Sequence, residues 1–318
     1  MTPSIREAYL MGREHLAASG SAEAPIEAEV LLRHVLQLDR AALYAGWDRP
    51  ISEAAWDQFQ RVLAERGRGR PVPYIVGQRE FMGLTFAVDE RVMIPRPETE
   101  VLVEFIVEWM GRRERGNPHV GSGRSAGTRE RDAGSRIPDP GSRLSVVDVG
   151  TGSGCIAVSL AQLLPPAIVF ATDISVEALE VARANAARHR VGHRITFLQG
   201  DLLAPLPPHL AGRVDAVAGN PPYVPVSQRA ALPREIRDFE PPVAVFIGGD
   251  GIAVHRRLIA EAPRWLGPSG LLAMEVGAGQ ADAVAGVMAS DGKYARVRTL
   301  ADYGGIQRVV AGERAASS

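Results

Sequence analysis

The 318-residue chain has one cysteine, one lysine, no long apolar run and almost no net charge. A lone Cys155 can neither close an internal disulfide nor build a cysteine-rich zinc site. Of the 36 basic residues only Lys293 is lysine; with so much alanine, that bias fits codon usage in a GC-rich genome as readily as any function. No apolar run reaches the roughly 18 residues of a membrane span. The first residues carry Arg6, Glu7, Arg13 and Glu14 where a signal peptide needs its apolar stretch. A net charge of -1 excludes a globally basic coat for nucleic acid and leaves room for a local basic patch. These absences predict a soluble cytoplasmic protein without a membrane partner. The hydrophobic fraction of 46% and charged fraction of 23% are ordinary for a globular chain and exclude wholesale disorder. At roughly 150 residues per domain the length predicts about two domains.

Residues 1 to about 68 read as helical. Ile26, Val30, Leu31 and Val35 recur at helical spacing after Pro25, which suits a first turn. A second helix is expected from an N-cap at Ser52, burying Trp56, Phe59 and Leu63. Such a unit is compatible with docking a partner and equally with covering the next domain. Gln78–Phe81 and Leu84–Val88 alternate around Met82-Gly83 and predict a β-hairpin. Pro95 and Pro97 then stiffen the chain around Arg96, and Glu98 or Thr99 opens a helix carrying Val101, Phe105 and Trp109. From 111 to 143 apolar residues nearly vanish, and 112–143 holds eight arginines against four acids. A disordered insertion is expected there, either a surface loop or a basic arm for nucleic acid; it lacks the interleaved aromatics that stack on bases. The domains are therefore expected at 1–70 (helical), 71–95 (hairpin linker) and 96–318.

Beyond the insertion, apolar runs at 144–149, 168–172, 195–199, 214–218 and 271–276 alternate with helical patterns such as 176–187. That alternation predicts a doubly wound, mostly parallel α/β sheet. Two further runs, 296–300 and 308–311, flank Gly304-Gly305 and predict a closing hairpin with one antiparallel strand.

The ends of the strands carry the chemistry. The first ends in VVDVGTGSGC, where Gly150, Gly152 and Gly154 occupy a strand-to-helix turn that lets a nucleotide approach the backbone. A dinucleotide fingerprint would need glycine at 155, and no Gly-Lys-Ser/Thr follows to make a P-loop. The second strand ends in Asp173, 19 residues after Gly154, where a carboxylate can accept both hydroxyls of a ribose. The third ends in Asp201-Leu202, placed to edge an adenine. Each acid singly is also a plausible helix cap. The fourth ends in Asn220-Pro221-Pro222-Tyr223. Two prolines fix this turn, so that the Asn220 side-chain oxygen and the Pro221 carbonyl can both accept from one planar –NH2 group while Tyr223 packs against it. An amide or aryl amine is a poor nucleophile because its lone pair is delocalised; holding both N–H bonds aims the nitrogen and favours charge developing as it attacks. Cys155 has no identifiable histidine partner and is expected to be a packed residue.

These residues resemble the class I S-adenosylmethionine-dependent methyltransferases that act on planar nitrogens. The upstream segment RPVPYIVGQREFMGLTFAVDERVMIPRPETEVLVE, with FEPPVAVFIGGDGI and LLAMEVGAGQ downstream, is similar to the release-factor glutamine methyltransferases. The related ribosomal-protein enzymes usually carry Pro-Arg-Ser-Pro where this chain has Pro-Arg-Pro-Glu-Thr. The resemblance covers most of the chain outside 111–143. It implies a seven-stranded, mostly parallel sheet behind a small helical N-terminal domain and a β-hairpin linker. It implies S-adenosyl-L-methionine as cofactor, held by Gly150, Thr151, Gly152, Ser153, Gly154, Asp173, Asp201, Leu202 and Asn220, with no metal. It implies a substrate glutamine in the Gly-Gly-Gln loop of class 1 peptide chain release factors, met by Arg96, Asn220, Pro221, Pro222 and Tyr223, with Asn220, Pro221 and Tyr223 catalytic. The N-terminal domain would contact the release factor, and no direct nucleic-acid partner is expected. The chain departs from the family in its insertion and at Gln307, where aspartate is common. A ribosomal-protein glutamine methyltransferase, an adenine-amine methyltransferase and a non-enzymatic cofactor-fold scaffold are the alternatives; the second would want a dedicated nucleic-acid domain and the third has no need of an intact Asn220–Tyr223 motif.

Overall fold

The computed structural model describes residues 2–116 and 144–316. The chain divides into two compact units, Met1–Arg79 with Val88–Glu90 and Ala230–Glu240, and Glu80–Ala87 with Arg91–Arg229 and Pro241–Ser318. A linear division at 70 and 95 assigns Ala230–Glu240 to the catalytic half, whereas by contact this segment packs with the N-terminal helices.

The first unit is built from helices α1 (Ile5–Ala18), α2 (Ala24–Leu36), α3 (Arg40–Ala45), α4 (Glu53–Gly67) and α5 (Val72–Val76). Three of these helices are capped by a side chain at their start. Ser4 and Glu7 form a reciprocal capping box on α1. Asp39 accepts from Ala42 N on α3, and Ser52 accepts from Ala55 N on α4 as its sequence predicts. The core joins Leu16, Leu31, Leu32, Leu43, Phe59 and Leu63. Helix α2 turns a different face inward from the one its large residues suggest: Ile26 is 62% exposed, and Ala28, Leu31 and Leu32 are buried. Small side chains decide this packing. Gly12 of α1 sits so close to Phe59 that a Cβ there would meet its ring at 2.7 Å. Arg66 is buried and donates to both carboxylate oxygens of Glu27, at 2.9 and 2.8 Å, and to Glu235.

The expected hairpin forms from β1 (Gln78–Phe81) and β2 (Leu84–Ala87). Met82 and Gly83 both take positive φ, 52° and 69°, as a two-residue hairpin turn requires. A 3-10 turn at Pro97–Thr99 then leads into α6 (Glu100–Gly116). Residues 111–116, expected to begin the insertion, instead continue this helix. Two of its arginines are engaged: Arg112 pairs with Glu108 one turn back at 3.4 Å, and Arg113 lies over Trp109 and donates to the Ser269 and Pro268 carbonyls at 3.1 Å. The remainder of the expected insertion, 117–143, lies outside the described residues.

The strands β3 (Ser145–Val149), β4 (Ile168–Asp173), β5 (Ile195–Gln199) and β6 (Val214–Gly219) alternate with α7 (Cys155–Leu163) and α8 (Val176–Arg188). After β6 come β7 (Val224–Pro225), α9 (Arg234–Phe239), which belongs to the first unit, α10 (Pro242–Val245) and β8 (Phe246–Ile247), with β7 and β8 pairing in parallel. Then follow α11 (Ala253–Glu261), β9 (Leu266–Glu275), α12 (Ala281–Ser290), β10 (Tyr294–Ala301) and β11 (Gln307–Arg314). The central sheet has seven strands in the order β10-β11-β9-β6-β3-β4-β5, with β11 antiparallel to both neighbours. Its strands read as nearly continuous apolar runs because helices cover both faces. Successive residues of β3 point to opposite sides: Val146 packs with α6 and α7, Val147 and Val149 with α11 and α12. Among the described residues no helix is long and apolar enough to cross a membrane.

Candidate active site

Strand β3 pairs with β4 on one side and β6 on the other, so the winding reverses at its carboxyl end, where open α/β sheets hold ligands. Val149 is level with Thr172 of β4 and with Gly219 of β6. The turn Gly150–Gly154, the carboxylate of Asp173 and the Asn220–Tyr223 segment therefore leave the sheet side by side.

The glycine turn is shaped by positive φ at Gly150 (70°), Gly152 (52°) and Gly154 (81°). The three glycines serve different ends. A Cβ on Gly150 would meet nothing within 4 Å, whereas one on Gly154 would lie 3.1 Å from Ala182 of α8. Gly150 and Gly152 thus keep an open approach to the main chain, and Gly154 permits helix packing. Gly150 N and Thr151 N both donate to the Thr172 carbonyl at 2.9 Å. Ser153 is buried, and its carbonyl accepts from Asn185 at 2.8 Å. Asp173 Oδ2 accepts from Gly152 N and Oδ1 from Ser175 N, each at 2.9 Å. Burial raises the Asp173 carboxyl above its ordinary pKa, and these main-chain donors pull it back.

Beneath the turn lies Asp148. It is fully buried; its Oδ2 accepts from Thr151 Oγ1 at 2.6 Å and from Ala157 N at 3.1 Å, tying turn to helix. Desolvation raises its carboxyl to about 7. The folded protein then holds a proton that the unfolded chain releases near pH ~4. That contribution to stability is complete below about pH 4 and is lost as pH rises through the folded value. Asp148→Asn keeps an oxygen for both donors and removes the titration. The melting temperature of the wild type relative to Asp148→Asn is expected to fall between about pH 4 and about pH 7; a difference independent of pH would overturn this.

Asp201 and Leu202 leave β5 as expected, but differ in character. Asp201 is exposed and pairs with Arg257 of α11 at 2.7 Å. Leu202 takes φ 49° and packs its side chain against the cluster beneath α11 and α12. Cys155 also packs against the core, and desolvation pushes its thiol up to about 12, the opposite of an activated nucleophile.

Around Asn220 a polar chain links three separate segments. Asn220 Nδ2 donates to Thr99 Oγ1 at 3.2 Å, and Thr99 Oγ1 donates to Glu275 Oε2 at 2.5 Å. The other oxygen of Glu275 accepts from Tyr223 OH at 3.2 Å. Glu275 is 1% exposed, and burial raises its carboxyl to about 7 despite the two hydroxyl donors. Burial, then the neighbouring Glu275, also pushes the Tyr223 phenol upward. Gln280 Nε2 donates to the Tyr223 carbonyl at 2.9 Å while its Oε1 accepts from Gly277 N at 2.9 Å, bracing the motif from behind. Gly251 leaves room for this brace: a Cβ there would lie 2.6 Å from the Tyr223 carbonyl. Pro221 is buried, Pro222 half-buried, and Arg96 is half-buried in extended backbone between its prolines. Within the same upstream motif, Glu100 Oε1 accepts from Met82 N at 2.6 Å and fixes the hairpin turn.

Thr99, Glu275, Gln280 and Asp148 were not named as site residues from the sequence. The available signal was a single acid inside an otherwise apolar buried strand, VVDV and LLAMEV. Among the described residues no cluster of histidine, cysteine, aspartate and glutamate could hold a metal ion.

A family model for a methyltransferase domain matches residues 146–239, and one for the PrmC N-terminal domain matches residues 7–77. The solved catalytic domain of hMettl16, in complex with MAT2A 3'UTR hairpin 6, shares the fold at a TM-score of 0.51 and 15% identity, covering 76% of this chain and 79% of that one. Sheet order, the switch-point turn and these matches define a class I methyltransferase, and S-adenosylmethionine is the cofactor of that class. The release factor glutamine methyltransferase of Geobacter sulfurreducens is 37% identical over 97% of this chain and 96% of its own length. That of Moorella thermoacetica is 38% identical over 96% of each. The chain belongs to the release factor glutamine methyltransferase family.

The residues present fit the cofactor. Gly150 and Gly152 expose main chain without side chains above it, and Asp173 retains acceptor capacity beyond its two main-chain bonds.

Proposed function

We propose that this protein methylates the side-chain amide nitrogen (N5) of the glutamine in the Gly-Gly-Gln motif of class 1 peptide chain release factors, in the cytoplasm. The observation that carries the reading is the orientation of Asn220. Its Nδ2 is committed to Thr99, so its Oδ1 remains as an acceptor beside the rigid Pro221 carbonyl. Two acceptors on a fixed frame suit the two N–H bonds of a primary amide and would disfavour a donor-poor substrate. The family membership supports the release factor as substrate, and the helical N-terminal unit is the proposed docking domain.

S-adenosylmethionine, when bound, supplies an electrophilic methyl group on a sulfonium sulfur, and the amide nitrogen that accepts it gives up one proton. Gly150, Thr151, Gly152, Ser153 and Gly154 would hold its methionine part, Asp173 its ribose, Asp201 and Leu202 its adenine, and Asn220 borders it. Asn220 Oδ1 and the Pro221 carbonyl hold the two N–H bonds, turning the nitrogen's π-face to the electrophile. Electron density drawn toward nitrogen through those N–H bonds offsets the amide's delocalisation as positive charge develops there. The Tyr223 ring packs on the planar amide, and Arg96 and Pro222 border the glutamine side chain.

Methyl transfer from labelled S-adenosylmethionine to a class 1 release factor, beside a Gly-Gly-Ala variant, tests this. Label on the glutamine protein alone is the expected result. No label on either, with cofactor binding established by calorimetry, would overturn the substrate and turn attention to a ribosomal protein and then to adenine amines.

A further inference from the structure

We infer that Glu275 is a positioning residue for methyl transfer, which through Thr99 dictates which end of the Asn220 amide faces the substrate. The inference rests on the amide-methylation reading above and extends it to two residues outside the Asn220–Tyr223 motif.

An asparagine amide has two ends of nearly equal shape, one donating and one accepting, and nothing covalent distinguishes them. Only the accepting end can hold a substrate N–H. The choice must therefore be imposed by a neighbour that cannot take either. A threonine hydroxyl alone cannot impose it, because it both donates and accepts. Thr99 loses that freedom to Glu275: its proton goes to Oε2 at 2.5 Å, so toward Asn220 it presents only lone pairs. Nδ2 then faces Thr99 at 3.2 Å, and Oδ1 is turned to the substrate side.

The topology makes this contact possible. Strand β9 runs parallel to β6 with Met274 level with Gly219, so Glu275 leaves the sheet beside Asn220. The second oxygen of the same carboxylate accepts from Tyr223 OH at 3.2 Å, so one group orients both ends of the motif. Other groups act on this carboxyl without replacing it: Arg308 of β11 favours its charged form and Glu98 opposes it. Arg96 acts on Tyr223, and His255 of α11 bonds the Glu275 carbonyl at 2.8 Å, fixing the main chain rather than the carboxylate. A buried carboxylate is an expensive way to fill a strand end, and a hydrophobic residue would pack there more favourably. Ionised, the form that Arg308 favours and that prevails above about pH 7, the carboxylate supplies two acceptors and no donor, which neither a hydrophobic nor an amide side chain does.

The test compares wild type, Thr99→Val, Thr99→Ser, Glu275→Gln and the Thr99→Val/Glu275→Gln double variant, with melting curves confirming folding and calorimetry giving the S-adenosylmethionine Kd. Thr99→Val, nearly isosteric, is expected to lower kcat on the release factor about 10- to 100-fold with the cofactor Kd unchanged. Thr99→Ser restores most of the rate, Glu275→Gln falls by a similar factor, and the double variant is no worse than the poorer single one. A Thr99→Val enzyme with wild-type kcat, or losses that multiply in the double variant, would overturn the inference while leaving the substrate assignment intact. A wild type that does not label the release factor overturns the assignment first and this inference with it.

Discussion

Asn220→Ala is expected to lower kcat by about 10²- to 10³-fold, the scale of losing a preorganised polar contact to the reacting group. The S-adenosylmethionine Kd is expected to stay within about 3-fold of wild type. The expectation follows from where the side chain is held. Pro221 and Pro222 fix the main chain after it, and Gln280 pins the Tyr223 carbonyl at 2.9 Å, so deleting the amide leaves the turn standing. What disappears is Oδ1, one of two acceptors for the substrate amide. Losing it frees the nitrogen to rotate, which raises the barrier more than it weakens binding, so kcat should fall further than KM rises. Steady-state kinetics on the release factor with calorimetry of the cofactor separates the two. Equal losses in kcat and cofactor affinity would mean that Asn220 chiefly holds the cofactor.

The central sheet was legible because its physics is local. Parallel strands covered on both faces read as short apolar runs, and each such run from 144 to 311 became a strand within a few residues of its expected bounds. The closing hairpin was legible for the same reason, with Gly305 at φ 81° in its turn. The N-terminal helices were legible as helices and less so as packing. Large residues drew attention to Ile26, but Ala28 and Gly12 let helices approach closely, and close approach decides which face is buried. Composition also misled at 111–116, where arginines suggested an exposed segment. Arg113 instead lays its plane over Trp109 and spends its charge on the Pro268 and Ser269 carbonyls, which lie more than 150 positions away. Ala230–Glu240 returns to the first unit by contact, and within it Glu235 pairs with Arg66, a pair no periodicity encodes.

The site shows the same division. Gly150, Gly152 and Asp173 could be picked out because a turn and a strand end announce them in one stretch of sequence, and the structure joins them by the Gly152–Asp173 bond. Thr99 and Glu275 could not, since their meaning lies in a bond across 176 positions. Read alone, Thr99 is a helix-opening residue and Glu275 an oddity in an apolar strand. Two residues of the upstream segment thereby acquire structural roles: Thr99 reaches Asn220, and Glu100 reaches Met82 in the hairpin turn.

Asp173→Ala should show the complementary pattern, weakening S-adenosylmethionine binding by about 10²-fold with little change in kcat at saturation. Each Asp173 oxygen already accepts one main-chain N–H, from Gly152 and from Ser175, and an ionised carboxylate has capacity for about two further acceptances. Two ribose hydroxyls match that capacity. Hydrogen bonds to a charged group contribute about 1.5–3 kcal/mol each, so losing the pair accounts for the expected factor without any collapse of the turn. Gly150 and Thr151 hold the turn independently through the Thr172 carbonyl, which is why the effect should remain in affinity rather than in folding. Asp173→Asn supplies the control. It keeps one oxygen as acceptor and turns the other position into a donor, so one ribose hydroxyl is still served, and the Kd should rise by only about 10-fold. Calorimetry of the wild type and both variants against S-adenosylmethionine reads this order directly. An Asp173→Ala protein that binds within about 3-fold of wild type would assign the acid to bracing Gly152 and the start of α8, and would move the ribose elsewhere along the strand ends.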